Sequence, residues 1–402
     1  IQMLTNVYIL SAILILENSS VQEEPHLVFK RRKSQFKSIV KDFPVVLMPT
    51  GETESTKFVQ NSFGKFNIHI RYDDECFQHN VTKNCDQDVF ESPFNLLYVQ
   101  SSMDSTYQIY RRLHKYHVMN RYPGFELLNN KVQLAKILKN SSISPRTFDT
   151  QEDVDIFLKD PRNYVITKPA NSFMTKGIKV TRSVDFDKIG EQKIANDNQT
   201  NNGQISYNIS EIQLPQETET IKSKVVMEYL QNTVKFNGRK FDLRLMVAVT
   251  SLDPLLAYVH KDGFVKVSKS KYQNASQVNC GDKSIHITTF GVNYAGWDYQ
   301  AALKQNSLFQ LQHFLELMNS QPENFSFSKE FLRKTPNLQV YFNNEFKLLV
   351  RKLLTVSYPH LLESAGEQAN IYQFPRQFFA SLGLDVYILE NGTVGLFEVN
   401  LN

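Results

Sequence analysis

Cysteine is scarce in this chain: Cys76, Cys85 and Cys280 are the three cysteines among 402 residues. Three cysteines cannot build the disulfide framework on which small secreted domains depend. Their spacing also lacks the paired pattern of a zinc site. We therefore predict that the protein works in a reducing compartment.

Long apolar runs are missing as well. The N-terminal run from Val7 to Leu16 is too short for a bilayer, which requires roughly 20 apolar residues. We interpret it as a buried first strand; a signal-peptide core is the alternative, although no Lys or Arg precedes it. The sequence begins without methionine and ends inside a motif, so we expect a piece of a longer protein.

The chain has no strong charge of one sign. Its formal net charge is +4, its pI is near 8.7, and 41% of its residues are hydrophobic. This balance is ordinary for a globular protein and favours an acidic partner only weakly. The basic cluster Lys30–Lys33 is either a solvated turn or a contact for an acidic surface. We expect neither a nucleic-acid nor a membrane partner.

Two common catalytic motifs are absent. The sequence has no Walker A loop ending in Gly-Lys-Ser/Thr, and it has no Gly-x-Ser-x-Gly elbow. The sequence therefore lacks the motifs that are typical of P-loop nucleotide-binding proteins and of α/β-hydrolases.

The C-terminal segment does contain a strong hairpin signal. Two apolar runs flank Asn391-Gly392, and both residues tolerate the positive φ angles of a tight turn. A two-residue turn would place Glu390 opposite Thr393 and, further along, Asp385 opposite Glu398. Asn400 would share their face, since side chains alternate along a strand.

Two opposed carboxylates favour a bound cation. Their Cβ atoms would lie about 5 Å apart, and at an effective dielectric of ~20 the charges would repel by about 3 kcal/mol. Two carboxylates and an amide oxygen are ligands that suit Mg²⁺ shared with phosphates. An exposed hairpin with a mildly repulsive pair is the alternative.

A second group of candidate residues lies in the segment 237–249, which starts with polar residues and then alternates between polar or charged and apolar residues. Lys240, Asp242 and Arg244 form one face of the expected strand. Lysine and arginine are the usual phosphate ligands of proteins. An edge strand with a solvated charged face is the alternative. The other face is apolar and consists of Phe241, Leu243, Leu245, Val247 and Val249.

With these motifs the chain resembles the tubulin–tyrosine ligase-like family. Residues 238–244, with the letters GRKFDLR, match its GRKFD[IL]R signature, and residues 249–255 resemble the VTSxxPL that follows. Residues 286–289 resemble HLTN, and residues 396–400, with the letters LFEVN, resemble LLEVN. Weaker likenesses begin near residue 118, and we interpret the chain as a divergent member.

The resemblance implies an α+β fold of the ATP-grasp type, in which sheets of a central and a C-terminal domain clamp ATP. We assign residues 1–117 to an N-terminal α/β domain and residues 118–226 to the central domain. The central domain would carry a flexible, polar insertion near 187–223. Residues 227–402 would form the C-terminal ATP-grasp domain, truncated at its end.

The implied activity is an ATP- and Mg²⁺-dependent ligase that forms an amide bond on tubulin. In such enzymes a substrate carboxylate attacks the γ-phosphate of ATP, and an amine captures the resulting acyl phosphate. Glutamate is the amino acid that we expect, with glycine and tyrosine left open. The partners would be the acidic C-terminal tail of tubulin, microtubules and a free amino acid. The location would be cytoplasmic and cytoskeletal, with the cilium or basal body as a specific site.

The resemblance also assigns roles to residues. Lys240 and Arg244 would be catalytic, and Asp385, Glu398 and Asn400 would bind Mg²⁺. The residues expected to bind ATP are Lys131, Lys168, Met227, Glu228, Tyr229, Lys240, Asp242, Arg244, Lys266, His286, Ile287 and Thr288.

Several positions depart from the family pattern. Met227-Glu228 stands where the family often has Gln-Lys, Lys266 replaces an Arg, and Thr289 replaces an Asn. A catalytically inactive or weak tubulin- or microtubule-binding member is therefore the first alternative. A small-molecule carboxylate–amine ligase is the second.

Overall fold

The computed structural model describes residues 118–170, 177–184, 224–289, 307–368 and 378–401, together with three N-terminal strands. The predicted strand at 7–16, the insertion near 187–223 and the basic cluster at 30–33 lie outside these residues. The strands are β1 (Val45–Met48), β2 (His69–Tyr72), β3 (Leu96–Leu97), β4 (Val118–Met119), β5 (Thr147–Phe148), β6 (Val165–Pro169), β7 (Lys179–Thr181), β8 (Lys224–Glu228), β9 (Lys235–Phe236), β10 (Arg239–Leu252), β11 (Leu255–Val259), β12 (Phe264–Val267), β13 (Leu308–Gln310), β14 (Ala380–Ile388) and β15 (Val394–Leu401). The helices are α1 (Glu126–Asn129), α2 (Lys131–Leu138), α3 (Gln151–Leu158), α4 (Lys283–His286), α5 (Leu311–Ser320), α6 (Lys329–Lys334) and α7 (Leu338–Gln368), with a 3₁₀ turn at Pro322–Asn324.

The described strands form three sheets. The first is parallel, in the order β2-β1-β3-β4. The central sheet is antiparallel in the order β13-β12-β10-β14-β15, and β9 and β11 also pair with β10. A small antiparallel sheet has the order β5-β8-β6-β7. This mixture of helices with mainly antiparallel sheets confirms the α+β class, whereas the domain boundaries stay predictions.

The main hydrophobic core lies between the central sheet and helices α5 and α7. Phe241 of β10 packs against Phe314 of α5, with ring centroids 5.0 Å apart, and Phe314 lies 5.4 Å from Phe325. Each such aromatic pair adds about 0.5–1.5 kcal/mol beyond the area that it buries. This packing fixes the apolar face of β10, and it thereby also fixes the position of the side chains on the opposite face of the strand.

The start of α2 is set by a capping residue. The Asn130 side chain accepts hydrogen bonds from the backbone N–H groups of Val132 and Gln133, at 3.0 and 3.1 Å. Such a cap is worth roughly 1 kcal/mol. The sequence predicts a helix over 131–139, and the cap places Lys131 at the first position of α2, which ends at Leu138.

The sequence predicts a hairpin around Asp262-Gly263, and this prediction is wrong. Strands β11 and β12 do not pair with each other; both run antiparallel along β10, one after the other. Gly263 interrupts this path, because a Cβ at that position would lie 2.2 Å from the Arg244 carbonyl oxygen. The glycine therefore allows a close approach to β10 and does not form a turn. Instead, β10 and β11 form the local hairpin.

Helix α5 begins at Leu311, because the preceding residues pair with β12 as strand β13. None of the described helices combines the length and the apolarity needed to cross a membrane.

Candidate active site

Strand β10 has the two faces that the sequence predicts. Phe241, Leu243 and Leu245 lie in the main core. On the other face Lys240 is buried, with 4% of its surface exposed. Since β10 lies between β12 and β14, the interpretation as a solvated edge strand is wrong.

The β14–β15 hairpin places Asp385 opposite Glu398, but by a different route from the predicted one. The Leu389 N–H donates to the Thr393 carbonyl at 2.8 Å, so the loop has three residues and Glu390 does not face Thr393. This shifts the pairing by one residue. A bulge shifts it back: Val386 pairs with Leu396 and Asp385 with Glu398, which leaves Phe397 as the extra residue.

The predicted metal ligands are therefore neighbours. Gly383 pairs with Asn400, two residues beyond Glu398 on the same strand. The Asn400 side-chain nitrogen lies 3.5 Å from Glu398 Oε1. No cluster of three or more His, Cys, Asp or Glu side chains suited to a metal occurs in the described part of the chain. The predicted set contains two carboxylates and one amide, so it relies on the amide oxygen as the third ligand.

Asp385 is already held by two cations. Arg244 Nε lies 2.6 Å from Oδ1 and its Nη2 lies 3.0 Å from Oδ2, while Lys266 Nζ lies 3.0 Å from Oδ1. Burial alone would raise the pKa of Asp385, but Arg244 and Lys266 together hold it well below its usual range. Strand pairing explains the cluster, because β10 places Arg244 beside Asp385.

One carboxylate oxygen of Asp242 has no donor among the described residues. The Thr288 hydroxyl donates to its Oδ2, whereas its buried Oδ1 has no hydrogen-bond partner among the described residues. Burial raises the pKa of this carboxyl, and the nearby Lys240 opposes that shift. A buried unsatisfied acceptor costs about 1–3 kcal/mol, so a donor or a cation supplied by a ligand would be favoured there.

Lys168 and Lys240 are two buried ammonium groups. Burial lowers the pKa of Lys168, and it lowers the pKa of Lys240 to about 8. Among the described residues, no carboxylate lies within ion-pair distance of either group. Lys168 Nζ lies 3.5 Å from the Phe397 carbonyl oxygen. Their remaining N–H donors are available to an anion.

A cleft that is open to solvent lies between α2, the small sheet and β15. One part of its lining is charged and contains Lys131, Lys168 and Glu398. The other part is apolar and includes Leu134 and Met227. An apolar wall beside converging charges suits a ligand with a flat apolar group and an anionic group.

Tyr229 and His286 lie near Lys240, whose Nζ is 4.5 Å from the centroid of the Tyr229 ring. Tyr229 Oη lies 2.8 Å from His286 Nδ1, and His286 Nε2 lies 3.1 Å from the Asn279 carbonyl oxygen. Burial and the nearby Lys240 lower the pKa of His286, which favours the neutral ring. Burial also raises the pKa of Tyr229. The histidine therefore orients the tyrosine.

The resemblance implies that the end of β8 offers backbone groups to the adenine of ATP, but two of its N–H groups already have partners. The Glu228 N–H donates to the Arg146 carbonyl at 2.8 Å, and the Tyr229 N–H donates to the Tyr164 carbonyl at 2.9 Å. Burial raises the pKa of the half-buried Glu228 carboxyl, opposed by Arg146. A ligand would have to use other groups at this position.

Ile287 and Thr288, the remaining residues predicted to bind ATP, lie close to β10. Ile287 is buried, and the adjacent Thr288 reaches the site through Asp242. Sequence reasoning missed Phe397, which lines the cleft together with Glu398. The available signal was the aromatic residue at the second position of LFEVN, where the family motif has leucine.

The donor set fits ATP with Mg²⁺. Buried ammonium groups that form no ion pair with a described carboxylate suit phosphate oxygens. The Asp242 oxygen that lacks a donor among the described residues suits a hydroxyl group or a cation. The oxygens of Glu398 and Asn400 suit a hard divalent ion.

Comparison with known proteins finds similar sequences among tubulin-modifying enzymes. The chain is 27% identical to tubulin polyglutamylase TTLL7 of Xenopus tropicalis over 307 residues, which are 72% of this chain and 29% of that protein. It is 27% identical to tubulin monoglutamylase TTLL4 of Homo sapiens over 205 residues, which are 48% of this chain and 14% of that protein. It is 33% identical to the probable tubulin polyglutamylase ttll-9 of Caenorhabditis elegans over 178 residues, which are 44% of this chain and 36% of that protein.

The chain thus spans about a third of the length of the first of these relatives. Residues 101–402 match the family described as "Tubulin-tyrosine ligase family". Because this match covers well over half of the sequence, the chain belongs to the tubulin–tyrosine ligase family.

Proposed function

We propose that this chain is an ATP- and Mg²⁺-dependent ligase that attaches glutamate to tubulin through an amide bond. The observation that carries the proposal is a cleft lined by Lys168, Phe397 and Glu398. Lys240 Nζ lies 5.8 Å from the centroid of the Phe397 ring, and Asp385 pairs with Glu398 across the two strands. The names of the relatives, tubulin polyglutamylase and monoglutamylase, support tubulin as the substrate and glutamate as the amino acid.

The nucleotide would lie between two sheets, as in an ATP-grasp clamp. The small antiparallel sheet contributes Lys168 and Met227 to the cleft, and β15 of the central sheet contributes Glu398. Lys131, Lys168 and Lys240 would hold phosphate oxygens, and Met227 would face the base. ATP with Mg²⁺ would supply the phosphoryl group that activates a substrate carboxylate for attack by an amine.

The charged residues of the chain have distinct tasks in this proposal. Glu398 and Asn400 offer oxygens for Mg²⁺ beside Asp385. Arg244 and Lys266 neutralise Asp385 and lie where an incoming anion would also meet them. Fixed cations in a partly dehydrated cleft stabilise negative charge without having to reorganise.

One observation favours a second candidate, a weakly active or inactive tubulin- or microtubule-binding member. Both oxygens of Asp385 are engaged by Arg244 and Lys266, so a metal would have to compete with these two cations. Lys266 also stands where the family usually has arginine, and a lysine lacks bidentate geometry. On either reading we expect a cytoskeletal location, at microtubules in the cytoplasm or the cilium.

The deciding experiment is mass spectrometry of tubulin tails after incubation with the protein, ATP and Mg²⁺. Glutamate, glycine and tyrosine are offered in separate reactions. We expect a mass increase with glutamate for the wild-type protein and none for Glu398→Gln. Microtubule binding without any mass increase would favour the second candidate, and the absence of both would remove tubulin as the partner.

A further inference from the structure

Phe397 occupies an unusual position in strand β15. It is the extra residue of the bulge, between Leu396, which pairs with Val386, and Glu398, which pairs with Asp385. In a regular strand, consecutive side chains point to opposite faces. Phe397 and Glu398 nevertheless both line the cleft. A bulge re-aims one side chain in this way, and bulges are frequent next to active sites.

The ring of Phe397 contacts both buried lysines. Lys168 Nζ lies 5.4 Å from its centroid, and Lys240 Nζ lies 5.8 Å from it. Lys240 also lies 4.5 Å from the ring centroid of Tyr229. A cation within about 6 Å of an aromatic centroid is attracted by the ring, and more strongly where water is excluded.

These rings substitute for carboxylate partners. An aromatic face holds an ammonium group without neutralising its charge. Both lysines lie near this one ring, although like charges repel and burial disfavours the charged form of each. The Phe397 carbonyl accepts from Lys168 at 3.5 Å, so one residue contacts this lysine through ring and backbone.

We propose that Phe397 is a positioning residue whose ring seats Lys168 and Lys240, neither of which forms an ion pair with a carboxylate of the described residues, side by side for the phosphates of a nucleotide. This inference rests on the proposed function for the identity of the ligand. The family motif LLEVN has leucine at the position of Phe397. Leucine fills a similar space but has no π face to attract a cation.

The test uses NMR spectra of the ligand-free protein with ¹³C-labelled lysine ε-methylenes, assigned with Lys168→Arg and Lys240→Arg. Protons above an aromatic ring resonate upfield, so we expect both signals to be displaced in the wild-type protein. Phe397→Leu should abolish the displacement for Lys168 and only reduce it for Lys240, because Tyr229 remains. Phe397→Tyr should preserve both displacements, and Tyr229→Leu should affect Lys240 alone.

Calorimetry with MgATP then measures the consequence. We expect Phe397→Leu to weaken affinity about fivefold to tenfold and Phe397→Tyr to restore it. Phe397 is half-buried, so Phe397→Leu should fold; a cooperative melt checks this, and Phe397→Met replaces it if needed.

Three results would overturn the proposal: no upfield signal for Lys168 in the wild type, a Lys168 signal unmoved by Phe397→Leu, or equal MgATP affinity of wild type and Phe397→Leu. If the wild type binds no MgATP, the proposed function fails. The spectra still decide in that case whether the ring seats the lysines.

Discussion

Replacing Lys240 with methionine should move stability and nucleotide binding in opposite directions. Lys240→Met keeps the length and the apolar stem of the side chain but removes its charge. The neighbouring Phe241→Ala is the matched control, because it changes the apolar face of the same strand. The two variants therefore separate the roles of the two faces of β10.

The expected stability change follows from the burial of Lys240. Burial lowers its pKa from 10.5 to about 8, which corresponds to a cost of about 3 kcal/mol for the charged form in the ligand-free fold. Below the folded-state pKa the cost is complete. Between the two values the unfolded chain binds more protons than the folded one, so the cost shrinks as pH rises. Removing the charge should raise the free energy of unfolding by about 1–3 kcal/mol at neutral pH, the lower figure allowing for the lost cation–π contact with Tyr229.

The binding change has the opposite sign. A charge-assisted hydrogen bond is worth about 1.5–3 kcal/mol, so Lys240→Met should weaken MgATP affinity by roughly tenfold to 150-fold. Phe241→Ala should instead lower the free energy of unfolding by about 3–5 kcal/mol. Urea unfolding at neutral pH and near pH 10 measures the stability of both variants and its pH dependence, and calorimetry at neutral pH measures their MgATP affinity. A destabilised Lys240→Met with unchanged MgATP affinity would refute the assignment of Lys240 to a ligand-facing surface.

Three further predictions concern the metal site, the backbone of β10 and the partner. Glu398→Gln should abolish the Mg²⁺ dependence of ATP binding and leave the melting temperature unchanged. The control Glu363→Gln, on the exposed side of α7, should change neither the Mg²⁺ dependence nor the melting temperature. Equal Mg²⁺ dependence in the two variants would remove Glu398 from the metal site. Gly263→Ala should destabilise the fold by roughly 1–3 kcal/mol, because the new Cβ would clash with the Arg244 carbonyl. The control Gly281→Ala, whose new Cβ has no atom within 4 Å, should have little effect in the same urea titration. Equal destabilisation by the two substitutions would contradict the close approach of Gly263 to β10. Binding to microtubules should weaken with salt, because the Debye length falls from about 10 Å at 0.1 M to about 3 Å at 1 M, and it should also weaken on tubulin without its acidic tails. Co-sedimentation tests this, and salt-independent pelleting would exclude the electrostatic contact expected from Lys30, Arg31, Arg32, Lys33, Lys37, Arg111, Arg112 and Lys115, all of which lie outside the described residues.

Local pattern was sufficient to predict the faces of β10. Alternation with a period of two is a property of the extended backbone, so Phe241 and Lys240 had to point in opposite directions. The same rule predicted the pairing of Asp385 with Glu398, but for an incomplete reason. The three-residue loop and the bulge at Phe397 each shift the register by one, and the two shifts cancel.

Contacts between distant segments could not be predicted in this way. Asp262-Gly263 has the letters of a hairpin turn, yet β12 continues along β10, because that strand is long enough to pair with both β11 and β12. The contact between Tyr229 and His286 joins residues far apart in sequence, and no periodicity encodes it. The family motif pointed to both residues but not to their hydrogen bond.

The balance of buried charge favours an anionic ligand, independently of the family to which the chain belongs. Lys168, Lys240 and Lys266 are buried near β10, whereas Asp385 is the buried carboxylate that the structure pairs with one of them. Asp242 offsets part of the excess, and its own Oδ1 still lacks a donor among the described residues. Buried charges are normally paired, since an unpaired one costs several kcal/mol. A fold that keeps this excess of positive charge is stabilised by a bound anion, and a magnesium-bound triphosphate supplies negative charge to the lysines and a cation to the carboxylates at once. An active ligase and a non-catalytic binder would both benefit from this balance, so nucleotide affinity tests the site and amide formation tests the enzyme.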